Sequence, residues 1–323
     1  MRPEDDYTHP VGTELDFNES MYFHFHDPKN RISGFVRLAN RPNEGKGERT
    51  VCLYLPDGRV AFGFARHETT TNKKMAGEGL EFCVDTPFTR LRATFTGDVN
   101  LLDDPEVLSE PRNLAGTSRV RCDVELAFAR LSEPFERSFD GDGPAFAPNH
   151  YEQFMAATGS ITVAGDSFEV TGTGLRDHSW GPRSWQAPWF YRWLHGSNAT
   201  FGFMGAYFGT QHGAPLTGGF VWDGEKVHHC VEVRVSTERS DDHLPRRISL
   251  ELVADGDKNW RFIGNVDVTV PLRHRKRDFV GADQVTRILE GQTRWIAEDG
   301  TELFGMSEYL DQIIDELPVG LGV

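Results

Sequence analysis

Apolar and polar residues alternate with a period of two along most of this chain, and that pattern excludes most folds, because it builds strands with one buried face rather than helices. It recurs in MYFHFH at 21–26, ISGFVRL at 32–38, TVCLYL at 50–55, VAFGFA at 60–65, RCDVELAFA at 121–129, EVRVS at 232–236 and ISLELVA at 248–254. Turn formers separate the runs, among them Pro56-Asp57-Gly58, Asp223-Gly224 and Asp299-Gly300. Helical spacing is nearly absent. SEYLDQIIDEL at 307–317 reads equally as a helix or as a strand followed by a tail. The spacing therefore predicts an all-β chain.

At 323 residues the chain exceeds the size at which one core usually keeps growing, so two domains are expected. The stretch from Glu133 to Asn149 is rich in Gly, Pro and Phe, carries DGDGP and separates two strand-rich halves, which places the boundary at about residue 145, between domains 1–145 and 146–323. Laying Met21 to Phe35 on Trp189 to Phe203 without a gap matches Asn30 with Asn198, Gly34 with Gly202 and Phe35 with Phe203, as an internal duplication would. The expected architecture is two tandem antiparallel β-barrels, since closure removes exposed strand edges and encloses a cavity for a ligand.

Charge narrows the partners. With 34 basic against 49 acidic residues the net charge is -15, which repels nucleic-acid backbones and anionic bilayers. No apolar run approaches the roughly 20 residues of a transmembrane helix, and MRPEDDYTHP is unlike a signal peptide, so a cytoplasmic location is expected. Cys52, Cys83, Cys122 and Cys230 lack CxxC spacing and sit in alternating stretches, as reduced core residues do; no structural zinc site is expected.

Chemistry concentrates in one segment. Four of the seven tryptophans, Trp180, Trp185, Trp189 and Trp193, are interleaved with Asp177, His178, Arg183, Tyr191 and Arg192. Glycines before the Asp-His pair and Gly181-Pro182 after it suggest a tight turn between strands. A carboxylate beside an imidazole there suits proton transfer, with Arg176 or Arg183 setting its charge; it equally suits a structural latch. On an extended strand the two side chains point to opposite faces, so they need not touch. Trp189, Tyr191 and Trp193 share a strand face, and Phe203 and Tyr207 share one with Gly205 and Gly209, patterns that fit either a pocket wall or inter-sheet packing. His24 and His26, two apart, are arranged as metal ligands sometimes are, with no third ligand evident. They and Tyr22 either border a cavity or face water, whereas Glu152 and Glu308 read first as partners for arginines.

The block GTGLRDHSWGPRSW, preceded by YEQF and GSITVAG and followed by DGTELFGMSEY, resembles the lipocalin-like carotenoid 1,2-hydratase superfamily of the CrtC and AttH type. The resemblance spans both halves, with DHSWGxR as its specific signature. It implies two lipocalin-like barrels, an apolar pocket at or near their interface, and hydratase, cyclase or pericyclase activities. For the hydratases it implies acid catalysis without a cofactor on an isoprenoid-type alkene, and it maps the motif acid, His and Trp onto Asp177, His178 and Trp180. Carotenoid hydratases carry a further Asp on a later strand, where this chain has ATFGFMGAYFGTQHG, with Tyr207 and no carboxylate. The reading is an enzyme with Asp177 as general acid, His178 tuning or relaying the proton, and a pocket shaped by Trp180, Arg183, Trp189, Tyr191 and Trp193; if Arg176 or Arg183 pairs tightly with Asp177 and keeps it ionised, His178 or Tyr191 is the better donor. A non-catalytic carrier of a small apolar ligand and a polyene cyclase are the alternatives.

Overall fold

The computed structural model describes residues 1–136, 148–256, 258–277 and 283–323, and statements about the whole chain refer to these. The first compact unit comprises residues 1–104 and 116–184. Its strands are β1 (Phe17–Asp27), β2 (Ile32–Arg41), β3 (Lys46–Tyr54), β4 (Val60–Glu68), β5 (Ala76–Gly77), β6 (Leu80–Thr86), β7 (Arg90–Leu102), β8 (Ser118–Arg130), β9 (Phe135–Glu136), β10 (Asn149–Val163) and β11 (Asp166–Pro182). Eight of them close an antiparallel ring in the order β1-β2-β3-β4-β7-β8-β10-β11, sealed where β4 pairs with β7 and β11 returns to β1.

The second unit comprises residues 105–115 and 185–323. Its strands are β12 (Phe190–Ser197), β13 (Gly202–Gly209), β14 (Leu216–Trp222), β15 (Val227–Arg239), β16 (Pro245–Ala254), β17 (Asn259–Arg277), β18 (Asp283–Ala297), β19 (Glu302–Ile314) and β20 (Leu317–Pro318). Here β12 to β19 follow one another in chain order and close where β12 meets β19. The all-β, two-barrel expectation is what the chain forms, and the open segment at 307–314 is strand. No helix is long and apolar enough to cross a membrane.

Period-two alternation fixes what each barrel holds. Met21, Phe23 and Phe25 point inward in the first, against Val36, Phe128 and Met155. In the second, Phe203 stacks on Phe262 at 4.0 Å and meets Trp295 edge-on at 5.1 Å. Cores of this kind carry most of the stabilisation, about 1.5–3 kcal/mol for each large apolar side chain fully withdrawn from water. Cys52, Cys122 and Cys230 are buried and all four cysteines are free.

Three sequence expectations shift. The boundary drawn at about 145 lies outside the described residues; β10 and β11 complete the first ring, and the units part at Ser184 and Trp185. The DHSWGPR block accordingly lies in the first unit, where it was expected in the second. Nor is the Asp-His pair in a turn: both residues lie within continuous β11. The glycines that suggested a turn serve close approach instead, since a Cβ on Gly172 or Gly174 would come within 2.0 or 1.9 Å of the His26 or His24 carbonyl oxygen. Asn30 and Asn198 do occupy matching turns, β1 to β2 and β12 to β13, but Phe25 pairs with Gly34 whereas Trp193 pairs with Ala206. The likeness of the halves is therefore one of topology, not of a gapless register.

Candidate functional site

Because β11 alternates, it sends its motif to two faces of the first barrel. Arg176, His178 and Trp180 pair with Phe23, Met21 and Glu19 of β1, and Arg176 and His178 with Gln153 and Tyr151 of β10, so all of these side chains face the interior. Asp177 and Ser179 lie on the outer face with Tyr22 and Ser20 of β1 and Glu152 and His150 of β10. Asp177 and His178 thus point apart, as extended geometry requires.

The interior group is a connected network. Arg176 donates to Asp6 Oδ1 at 2.5 Å and to Gln153 Oε1 at 2.8 and 3.0 Å. Asp6 also accepts from Tyr151 Oη at 2.6 Å and from the Phe88 amide at 2.5 Å. Tyr151 Oη hydrogen-bonds His178 Nδ1 at 3.1 Å, and His178 Nε2 lies 2.8 Å from Glu19 Oε1, which also meets His9 Nδ1 at 2.8 Å. Asn72 donates to the other Glu19 oxygen, and His9 stacks on Trp180 at 3.7 Å. Burial opposes ionisation of Glu19, but hydrogen bonds from His178 and His9 outweigh it and hold the carboxyl at about 2. Burial likewise opposes ionisation of Asp6, and the Arg176 charge with its hydrogen bonds outweighs that. Burial pushes the Tyr151 phenol well above its ordinary value. Glu19 and His178 are fully buried, and the network reaches the surface at His9, whose side chain keeps 15% of its surface exposed.

The outer face carries a second group of ionisable side chains. His150 Nε2 is ion-paired with Asp177 Oδ2 and lies 3.7 Å from Glu152 Oε1, while the His150 and Asp177 side chains keep 13% and 14% of their surface exposed. Burial works to lower the imidazole, but the Asp177 and Glu152 charges prevail and raise it. Burial works to raise the Asp177 carboxyl, but His150, then Arg183, hold it below the usual carboxylate range. These directions favour an ionised Asp177 and a protonated His150, which runs against the expectation of Asp177 as the acid; the cause is the pairing with an imidazole and an arginine. Arg183 reaches Ser179 Oγ at 3.4 Å, and Arg37 is pushed down to about 10 by burial and by the charge of Arg183.

The remaining candidates separate. Tyr22, His24 and His26 are buried on the outer face of β1, and burial drives His26 down to about 4. Tyr191 and Trp193 share a face of β12 in the second unit, where Tyr191 Oη donates to Glu308. Tyr207 stacks on Phe190 at 6.0 Å, the Trp189 carbonyl accepts from the Gln312 amide, and Phe203 is core. Two described groups combine metal-ligand donor types, His9 with Glu19 and His178, and His150 with Glu152 and Asp177; neither includes His24 or His26. Sequence reading missed His150, although HYEQF alternates so as to put His150 and Glu152 on one face. It also missed His9 and Asp6, whose segment carries no periodic signal.

A family model described as a domain of unknown function (DUF7064) matches residues 2–313. No curated protein matches in sequence. Among solved structures, an AttH-designated protein of Nitrosomonas europaea is similar with a TM-score of 0.62 and 13% identity, over 93% of this chain and 94% of that one. CghA bound to Sch210972 gives 0.57 and 10%, over 92% and 88%. Kievitone hydratase of Nectria haematococca gives 0.56 and 9%, over 97% and 95%. At such identities these likenesses establish the shared fold.

Proposed function

The chain belongs to the DUF7064 family, and we propose that it is a hydratase, or the reverse dehydratase, acting on a small, largely apolar unsaturated molecule without a cofactor. The observation that carries this reading is the partly exposed His150–Asp177 pair, in which one environment drives the two groups to opposite protonation states. Such a split assigns an acid and a base. His150 is the proton donor and Asp177 the acceptor, with Glu152 holding the imidazolium and Tyr22 beside Asp177 in the strand register. The same two groups serve addition and elimination of water, because acid and base exchange roles with direction. Kievitone hydratase and CghA, which share the fold, lend the reading support.

The test incubates wild type and His150→Gln with a panel of prenylated, terpenoid and steroid alkenes in oxygen-18 water, with products read by mass spectrometry. Label entering one substrate class with wild type and lost in the variant is the expected result. Unchanged substrate co-purifying equally with both proteins identifies a carrier instead, and unlabelled isomers of unchanged mass identify a cyclase.

A further inference from the structure

In the interior of the first barrel the hydrogens of the network can be counted. Tyr151 has one on its oxygen and donates it to Asp6 Oδ1 at 2.6 Å, so its 3.1 Å contact with His178 takes the hydrogen of His178 Nδ1. A neutral His178 then presents the lone pair of Nε2 to Glu19 Oε1, 2.8 Å away, and two acceptors face each other. His9 Nδ1 meets the same oxygen at 2.8 Å. The other Glu19 oxygen is taken by Asn72 and by the His9 amide at 2.8 Å, which leaves Oε1 directed at the two rings. One carboxylate oxygen and two imidazole nitrogens thus converge, all within 4.8 Å of one another, on a point that calls for positive charge.

A proton can supply that charge, but the surroundings are those of a metal site. Each ring is held from behind. Tyr151, and through it Asp6, fixes His178 at Nδ1; His9 stacks on Trp180 at 3.7 Å, with Asp5 Oδ1 3.9 Å from its Nε2. Partners of this kind set the tautomer and the plane of metal-bound histidines. Two imidazoles and a carboxylate suit an ion of the zinc type, whereas magnesium and calcium take oxygen donors. Atoms bonded to zinc at about 2.0–2.2 Å lie about 3.3–3.6 Å apart in a tetrahedron, so the 2.8 Å contacts need to widen by about 0.5–0.8 Å. The Arg176 charge is committed to Asp6 and does not oppose a cation at Glu19. The other described group of this composition, His150 with Glu152 and Asp177, offers one residue with nitrogen donors and feels the charge of Arg183. We propose that His9 Nδ1, Glu19 Oε1 and His178 Nε2 bind one divalent ion of the zinc type, which fastens the segment before β1 to β1 and β11. Of the three side chains only that of His9 is reached by solvent, and a water there would complete four-coordination. The site lies on the face of β11 opposite Asp177, and its role is structural. No cysteine takes part, which is why cysteine spacing gave no sign of it.

The test uses the full chain, stripped with dipicolinate, dialysed and titrated with zinc chloride by calorimetry. Thermal unfolding followed by circular dichroism and the visible spectrum of added cobalt(II) are the second and third readouts. Wild type is expected to bind one equivalent of zinc, to unfold at a higher temperature with zinc than without, and to give the intense visible bands of four-coordinate cobalt. His9→Ala alters the ligand that solvent already reaches, so the fold is least at risk; it should remove the stoichiometric binding and the zinc-dependent rise in unfolding temperature. Tyr151→Phe keeps all three ligands but loses the group behind His178, and should weaken zinc by about 10–100-fold. Glu152→Gln, in the outer group, should leave zinc binding unchanged. Folded wild type that binds no stoichiometric zinc overturns the proposal, and a proton then holds the three groups together. Binding that Glu152→Gln removes and His9→Ala leaves intact overturns it in favour of the outer group. Binding that neither variant alters is an adventitious ion only, and also overturns it.

Discussion

Each barrel buries one arginine completely, and the two are satisfied differently. Arg192 in the second is enclosed by Asp311 at 3.1 and 3.2 Å and by the carbonyls of Tyr191, Leu310 and Gly320, with Tyr309 under its guanidinium at 4.5 Å. Beyond Asp311 it donates to peptide carbonyls, which do not titrate. Arg176 in the first meets Asp6, and Asp6 opens a chain of ionisable side chains through Tyr151, His178 and Glu19 to His9. One arginine is a latch; the other heads a network whose strength depends on pH. The strand that carries Arg176 also carries Asp177 on its reverse side, so the barrel with the titrating interior is the one that holds the proposed acid–base pair.

The largest effect that sharpens this comparison is removal of a carboxylate partner. Asp6→Ala and Asp311→Ala each leave a buried guanidinium uncompensated and should cost about 3–5 kcal/mol, read by urea unfolding. Loss of the donor comes next. His150→Gln should lower turnover by about 10²–10⁴-fold with little change in stability, whereas no interior substitution that preserves the fold should affect the pH profile of catalysis in the same way. Wild-type activity should fall as pH rises through the raised His150 value, because the proton to be donated is then lost; Asp177, Glu152 and Arg183 face that imidazole, and Glu152→Gln, which removes a charge that raises it, should move the fall to lower pH.

Stability should show the network by its pH dependence. Glu19 is lowered from 4.5 to about 2, so its contribution is complete above the unfolded value and is lost as pH falls from about 4.5 towards 2. The full difference is about 3 kcal/mol, and Glu19→Gln should flatten it; an unchanged slope in the variant contradicts the assignment. The smallest change belongs to the latch side. Thr237→Val removes a 2.7 Å hydrogen bond to Tyr309 Oη and should cost about 1 kcal/mol with no effect on turnover.

The barrels were legible in the sequence because period two is a local signal that burial on one face enforces in every strand. The ring order and the closing contacts of β4 with β7 and β12 with β19 were not, because pairing partners are set by the whole meander. Within the site, the opposed directions of Asp177 and His178 followed from strand geometry alone. The charge state of Asp177 did not, since it depends on His150, whose place beside β11 is fixed by pairing of strands distant in sequence. The interior network drew on His9 and Asp6 from a segment without periodicity, and only its position against Glu19 and Arg176 gives those residues a role.

The most direct test of the opposed protonation states is a nitrogen-15 NMR titration of the His150 ring in wild type and in Asp177→Asn. The expected result is a His150 imidazolium with both ring nitrogens protonated at neutral pH in wild type, and a midpoint displaced to lower pH when the aspartate charge is removed. A neutral His150 ring at pH 7 in wild type, or a midpoint unmoved by Asp177→Asn, would contradict the account.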